Sequence, residues 1–223
     1  MGTLAPRPDR VRFRNVHKGE TIYVLASGPS LNHIAPGFFA DKTVVAVNYI
    51  GLELGLDRYY MVSHYHLDAH GVAPVQPHIP IIIPEVDQGG DRLADRPPDY
   101  PNVWSFPTNQ QRYAAFDPET DWPTEPDALP VGSTSLHMTM GFAHYLGAAT
   151  IILVGADCGT LDGAENRNGH DRGIGSPWPV WANHLPRVAN KLRRMGTEVY
   201  SLNPFVNFGL EGHRYWSPTA TVN

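Results

Sequence analysis

The sequence contains one cysteine, Cys158, so no internal disulfide can form and the composition suits a reducing compartment. It also lacks an apolar run of about 18 residues, the length that a membrane-spanning helix needs, and its polar start has no signal-peptide pattern. Positive charge is not in excess, because 17 Lys and Arg stand against 22 Asp and Glu. We therefore expect a cytoplasmic protein with no membrane span and no broad surface for nucleic acid, although one exposed base in a short groove stays open.

Several common site motifs are missing as well. There is no G-x-G-x-x-G dinucleotide fingerprint, no Gly-Lys-Ser/Thr of a P-loop and no G-x-S-x-G around a nucleophilic serine. Histidines do cluster at His64, His66 and His70, near Asp68, but no H-E-x-x-H or cysteine-rich spacing accompanies them. We therefore expect neither a metal site nor a resident cofactor, and we place His64 at the rim of a ligand crevice.

What the chain does contain is a series of short apolar runs, typical of strands that are covered on both faces of a parallel sheet. These runs span residues 22–26, 43–48, 59–63, 79–83, 103–106, 149–155 and 198–202. Helical patterns span residues 136–146 and 178–195, and a short crossover helix is expected at residues 31–39, broken or delayed by Pro36 and Gly37. The alternation predicts an α/β fold with a doubly wound, mostly parallel, Rossmann-like sheet and right-handed crossovers.

The length favours one nucleotide-binding domain, residues 1–223, in which residues 71–130 form an irregular insertion or lid. This stretch holds most of the 21 prolines and no sustained helical period. Its two apolar runs can still join the sheet, because Pro80 and Pro84 restrict the first run only to an edge or a short strand. The remainder is long, and loops of such length are usually functional or mobile.

The first strand runs directly into a turn of small and polar residues, Ser27, Gly28, Pro29 and Ser30. Gly28 has no side chain to block an approaching phosphate, Pro29 stiffens the turn, and Ser30 offers a hydroxyl. Ligands of open α/β sheets bind beyond the carboxyl ends of the strands, so Asn48, which ends the second strand, faces the same crevice. The turn therefore predicts a phosphate-handling site, and an ordinary strand-to-helix turn is the alternative.

A second candidate anion site precedes the helix at residues 136–146, where Ser133, Thr134 and Ser135 provide hydroxyls. Backbone N–H groups and the positive end of the helix dipole favour a phosphate at this point. Simple N-capping of the helix by a hydroxyl is the alternative. We expect the two turns to converge on one negatively charged group.

Candidate catalytic residues follow the strand at residues 149–155. Asp157 comes directly after this strand, where a carboxylate commonly meets a ribose hydroxyl, a base or a reacting group, and capping of a loop is the alternative. His170 lies in a glycine-rich loop and is a candidate general base, since imidazole titrates near neutral pH. His184, on the flank of the last helix, either competes for that role or borders the core.

Taken in order, residues 25–31, 45–48, 133–157 and 200–204 resemble the small bacterial sialyltransferases that decorate lipooligosaccharide, and the related 6-hydroxymethylpterin diphosphokinase-like Rossmann family. The sialyltransferase resemblance implies metal-independent transfer to a hydroxyl acceptor, with His170 or His184 as the base. It assigns nucleotide binding to Gly28, Pro29, Ser30, Asn48, Thr134 and Ser135. The chain departs from that family at Ser27, where those enzymes have asparagine, and no tyrosine between Asp157 and His170 assists the leaving phosphate.

The sequence therefore favours a glycosyltransferase that takes a sugar from a nucleotide-sugar, with a CMP-sugar as the favoured donor. The diphosphokinase-like relatives imply an alternative, transfer of a diphosphate from ATP to a pterin alcohol, in which Asp157 would hold Mg²⁺. A third alternative is a non-catalytic nucleotide-binding subunit of a larger system. Each of these three functions is compatible with self-association into a homo-oligomer.

Overall fold

A computed structural model describes residues 9–35, 37–85, 99–109, 116–132, 134–157 and 178–202, without the side chains of Leu67 and of residues 178–183. The described residues form a seven-stranded sheet in which every strand runs parallel to its neighbours. The strands are β1 (Thr21–Leu25), β2 (Thr43–Val47), β3 (Tyr60–Val62), β4 (Ile81–Pro84), β5 (Val103–Phe106), β6 (Thr150–Val154) and β7 (Glu198–Ser201). The predicted α/β fold with a parallel, Rossmann-like sheet is confirmed.

Helices cover both faces of this sheet. The α-helices in the described ranges are α1 (Ile50–Glu53), α2 (His66–Val72), α3 (Ser135–Tyr145) and α4 (Trp178–Arg194), and 3-10 helices span Arg10–Phe13 and Pro29–His33. The predicted helices at residues 136–146 and 178–195 correspond to α3 and α4. None of the helices in the described ranges is both long and apolar enough to cross a membrane.

The strand order is β5-β4-β3-β2-β1-β6-β7, which makes β1 the starting point of two opposite progressions. The chain moves outward from β1 to β5 on one side, and then returns to place β6 against the other side of β1. Val24 in β1 accordingly pairs with Val45 in β2 and with Leu153 in β6. The order in which successive strands are added to the sheet therefore reverses at the boundary between β1 and β6. Ligands of open α/β sheets bind at such a point, beyond the carboxyl ends of the strands.

Alternate side chains of each central strand enter two separate apolar cores, because side chains in a strand alternate between the faces of the sheet. Ile22 and Val24 pack in the core on the α3 and α4 side, and Tyr23 and Leu25 pack in the core on the opposite side. Helix α4 packs one apolar face against the sheet where its side chains are described. Its members Leu185, Val188 and Leu192 are fully buried.

The short helix predicted at residues 31–39 does not extend over that range, and the break expected at Gly37 is present. The chain instead forms the 3-10 helix Pro29–His33 and then turns over residues 37–41. Pro29 occupies the start of the 3-10 helix, and Gly37 takes a positive φ of 79°, which an α-helix does not allow. Pro36 also disfavours a helical conformation of the residue before it. The connection from β1 to β2 therefore contains no α-helix, and the carboxyl end of β1 leads through residues 26–28 into the 3-10 helix.

The predicted insertion at residues 71–130 contributes β4 and β5 to the edge of the sheet, as its two apolar runs allowed. Its later part, residues 116–130, packs on the rest of the domain, since Phe116 and Leu129 are buried. Asp117 forms an ion pair with Arg187 of α4 at 2.6 Å. The described end of this region therefore lies against α4, whose first half carries one of the candidate bases.

Candidate functional site

Polar residues collect at the carboxyl edge of the sheet, where every parallel strand ends. The turn at residues 27–30 follows β1, Asn48 follows β2, Ser63 and His64 follow β3, and Asp157 follows β6. Helices α3 and α4 also begin at this edge, because each connects the carboxyl end of one strand to the amino end of the next. The parallel sheet thus gathers most of the predicted site residues along one side of the molecule.

The turns after β1 and β6 contact each other directly. The N–H of Gly28 donates a hydrogen bond to the carbonyl oxygen of Gly155 at 2.7 Å. A Cβ atom on Gly28 would overlap this carbonyl and the carboxylate of Asp157, at distances that real Cβ atoms do not reach. Residue 28 must therefore be glycine because the two turns approach closely, and not because its φ of −66° requires one.

Asp157 is held by the turn that the sequence assigns to a phosphate. Its Oδ2 accepts the backbone N–H of Ser30 at 2.8 Å, and its Oδ1 accepts the Ser30 hydroxyl at 2.6 Å. Burial raises the pKa of the Asp157 carboxyl, while the two hydrogen bonds from Ser30 and the nearby His33 act to lower it. Ser30 is buried, whereas Asp157 is partly exposed.

Asn48 adopts an unusual backbone conformation at the end of β2. Its φ is 51°, in the left-handed region that asparagine tolerates better than most residues, and its N–H donates to Val62 at 2.9 Å. The side-chain Oδ1 is buried and accepts no hydrogen bond from the described residues. A buried acceptor without a donor costs about 1–3 kcal/mol, so a ligand that donates to Asn48 would recover this free energy.

The start of α3 carries the second predicted anion site. The hydroxyl of Thr134 accepts the N–H of Leu136 at 3.0 Å and therefore caps the helix, as the simpler alternative held. Ser135 is half-buried, and its carbonyl accepts the hydroxyl of Thr139 at 2.8 Å. Ser133 lies outside the described residues. The positive end of the α3 dipole nevertheless faces the carboxyl edge of the sheet.

Three buried histidines converge near the start of α3. His64 follows β3, His137 lies in the first turn of α3, and His184 comes from α4. The ring centroids of His137 and His184 are 6.2 Å apart, and Phe116 stacks on His137 at 5.9 Å. Gly132 lies so close to the Nδ1 of His137 that a Cβ would overlap it. We call His64, His137 and His184 the histidine cluster.

Burial keeps the histidine cluster uncharged at neutral pH. Desolvation lowers the pKa of His64 and of His137 to about 3, and the neighbouring rings lower that of His137 further. Burial and Arg187 also lower the pKa of His184, which Asp117 partly offsets. His184 is the most exposed of the three, at 7% against 1% for each of the others. A neutral imidazole that a substrate can reach is suited to accept a proton.

Residues of α2 make hydrogen bonds that hold the backbone after β3. His66 is hydrogen-bonded through Nε2 to the carbonyl of Pro84 at 2.8 Å, and Asp68 accepts the hydroxyl of Ser63 at 2.5 Å. Within the described part of the chain, no group of three or more His, Cys, Asp or Glu side chains has the geometry to hold a metal ion. These contacts fix the segment that follows β3 and orient the backbone that leads into α2.

The structure thus brings some predicted site residues into contact and leaves others only at the same edge. Asp157 contacts the turn at residues 27–30, and His184 contacts His137 at the start of α3. Asn48, Thr134 and Ser135 lie along the same edge without a contact to Asp157 among the described hydrogen bonds. His170 and Ser133 lie outside the described residues.

One residue that the sequence reading missed is His137. Helix α3 is apolar on most of its faces, which is typical of a helix that is buried all round. A histidine within such a helix is therefore expected to be buried, and this signal could have identified His137. Its Nδ1 is buried and makes no hydrogen bond to the described residues, which is uncommon for a polar group inside a protein.

Comparisons of the chain with protein-family models, with curated proteins and with solved structures found no match. The case for a function therefore depends on the geometry and electrostatics of the carboxyl edge.

Proposed function

We propose that this chain is a cytoplasmic glycosyltransferase that transfers a sugar from a nucleotide-sugar, with a CMP-sugar as the favoured donor, to a hydroxyl acceptor. The nucleotide lies along the carboxyl edge of the sheet, against the turn at residues 27–30, Asn48 and the start of α3. His184 acts as the general base, and the transfer needs no metal ion.

The proposed reaction is a single displacement. His184 removes the proton from the acceptor hydroxyl, and the acceptor oxygen forms a bond to the anomeric carbon of the sugar. The bond from that carbon to the phosphate oxygen breaks, and the nucleotide leaves with the electron pair. Positioned proton transfer of this kind contributes about 10²–10⁴-fold to a rate.

The observation that carries the proposal is a neutral imidazole, the most exposed of the histidine cluster, at the edge where the order of successive strands reverses. His184 contacts the first turn of α3 through His137, and that turn presents the positive end of a helix dipole. A departing phosphate beside a helix N-terminus and a proton acceptor near it are the two groups that such a transfer requires.

The proposal is tested by measuring binding and turnover separately. Isothermal titration with CMP-, UDP- and GDP-sugars and with free nucleotides should detect at least one ligand. His184→Gln should then retain the affinity of that ligand within about twofold and lose about 100-fold or more of the turnover. His144→Gln serves as the matched control, because His144 lies at the opposite end of α3, where it contacts Thr197 at 2.8 Å.

Other outcomes separate the alternatives. If His170→Gln abolishes turnover and His184→Gln does not, His170 is the base. Turnover of ATP that EDTA abolishes would instead support the diphosphotransferase, and binding without turnover on any acceptor would support a non-catalytic subunit. If no nucleotide or nucleotide-sugar binds, the proposal is wrong.

A further inference from the structure

The crevice between β1 and β6 already contains a negatively charged group that belongs to the chain. The carboxylate of Asp157 accepts both the backbone N–H and the hydroxyl of Ser30, at 2.8 and 2.6 Å. These are the donors with which a turn of this kind would hold a phosphate oxygen. The carboxylate therefore occupies the position that the sequence assigns to the ligand's own anion.

Gly28 makes this arrangement possible in two ways. Gly28 donates its N–H to Gly155 at 2.7 Å, which brings the turn after β1 against the turn after β6. The absence of a side chain at Gly28 lets the Asp157 carboxylate approach, since a Cβ there would overlap Oδ2. Ser30 is 2% exposed, so moving Asp157 away would leave the buried N–H and hydroxyl of Ser30 without their hydrogen-bond acceptor.

An ionised carboxylate and a phosphate are poorly compatible neighbours in a partly buried crevice. Two like charges within hydrogen-bonding range of the same donors repel each other, and the low effective dielectric of a protein strengthens that repulsion. A hydroxyl group has the opposite property, because it donates to a carboxylate oxygen and each carboxylate oxygen has more than one acceptor position. As a partly exposed carboxylate, Asp157 therefore favours a ligand group that donates hydrogen bonds and carries no negative charge.

We infer that the crevice between β1 and β6 binds the ribose of the nucleotide and not its phosphate, with Asp157 as the residue that recognises the ribose hydroxyls. This inference rests on the proposed function, since it takes the ligand to be a nucleotide. Asp157 is a specificity residue in this arrangement, and Ser30 positions it. The phosphate then lies away from Ser30, towards the start of α3.

The test compares ribonucleotides with their 2′-deoxy forms. Isothermal titration at pH 7.5 would use CMP, UMP, AMP and GMP, their four 2′-deoxy counterparts, and inorganic pyrophosphate. The parent protein should bind the best ribonucleotide about tenfold or more tightly than its 2′-deoxy form, since a lost hydroxyl leaves a charged acceptor with one donor fewer. Asp157→Asn should reduce that preference to less than about threefold, and it should bind pyrophosphate no more weakly than the parent does.

Asp127→Asn is the matched control. Asp127 is also a partly buried carboxylate, but it accepts the hydroxyl of Tyr145 and pairs with Arg14 at the opposite edge of the sheet. This variant should keep the ribose preference of the parent. Circular dichroism establishes whether each variant is folded, and the ratio measured on the parent tests the inference even if Asp157→Asn does not fold.

The outcomes distinguish this inference from the proposed function. Equal affinity of the parent for ribo and deoxy forms overturns the inference and leaves the proposed function in place, as does an unchanged preference in folded Asp157→Asn. Binding of ATP that needs both Mg²⁺ and Asp157 would show that the carboxylate is a cation ligand, which also overturns it. If no nucleotide binds, both the inference and the proposed function are wrong.

Discussion

The two edges of the sheet use histidine in opposite ways. At the amino edge, both ring nitrogens of His17 are hydrogen-bonded, to Glu20 at 2.9 Å and to the hydroxyl of Tyr60 at 2.9 Å. At the carboxyl edge, His137 is buried, and its Nδ1 has no hydrogen-bond partner among the described residues. Asn48, also at the carboxyl edge, has a buried Oδ1 that accepts no hydrogen bond from the described residues.

This difference concerns single groups and not whole edges, because the buried Oδ1 of Asn102, before β5 at the amino edge, also has no hydrogen-bond partner among the described residues. Satisfied polar groups at the amino edge fasten the segment before β1 to the sheet. Buried polar groups without partners reduce the free energy of unfolding, so natural proteins keep few of them and often for a functional reason. The contrast between His17 and His137 therefore favours a ligand site at the carboxyl edge, and four measurements test it.

The largest expected effect is acid destabilisation from the histidine cluster. The pKa values of His64 and His137 are about 3 in the folded protein, against 6.5 for the unperturbed side chain. Below pH 6.5 the unfolded state therefore binds more protons than the folded state, and the free energy of unfolding falls as the pH falls towards 3. Between pH 7 and pH 5 each histidine should remove about 2 kcal/mol, which urea unfolding at a series of pH values would measure.

His137→Leu should remove its share of this pH dependence, and Met138→Leu on the same buried helix should retain the parent's. At pH 7 the first substitution should change the free energy of unfolding little or raise it, because it replaces a buried polar ring that lacks a partner at Nδ1. A pH dependence that is the same in both variants would contradict the shifted pKa of His137.

The second effect compares one glycine at each edge. Gly28→Ala should lower the free energy of unfolding by about 3 kcal/mol, because the new Cβ overlaps Gly155 and Asp157. Gly19→Ala at the amino edge should lower it by about 1 kcal/mol, because the cost there is only the positive φ of 84° and no atom lies within 4 Å of the new Cβ. Urea unfolding measures both, and equal losses would show that the two turns are not closely packed.

The third effect separates capping from binding at the start of α3. Thr134→Ala should lower the free energy of unfolding by about 1 kcal/mol, because the N–H of Leu136 loses its acceptor. Ser135→Ala should change it by less than about 0.5 kcal/mol but should weaken nucleotide binding. Thermal unfolding and titration with the best nucleotide would be measured on both variants. A loss of stability in Ser135→Ala without a loss of affinity would assign this residue to the helix alone.

The smallest effect concerns two of the three arginines of α4, Arg187 and Arg194. Arg187→Gln should change the free energy of unfolding by less than about 1 kcal/mol, because its ion pair with Asp117 is well exposed. It should nevertheless raise the pKa of His184, which Arg187 lowers in the parent. NMR titration of the imidazole measures this change. Arg194→Gln, which removes a similar pair with Glu119, is the control and should leave the titration of His184 as it is in the parent.

Much of the fold could be predicted because the signals are local. Each of the apolar runs became a strand of the sheet, including the run at residues 79–83, which lies between two prolines. The helix expected after β1 failed for a local reason as well, since proline and glycine compete with a helical pattern that is only nine residues long. The placement of Asn48 and Asp157 at strand ends followed from the same apolar runs.

Short apolar runs were enough to predict the strands and the polar groups at their carboxyl ends, because burial on both faces of a sheet leaves a readable apolar run. Three contacts arise only in the folded chain: β6 lies against β1, Asp157 accepts hydrogen bonds from Ser30, 127 positions away, and His137 is enclosed with His64 and His184. Such contacts depend on the crossings of the chain between distant strands. No pattern within a short stretch of sequence carries that information.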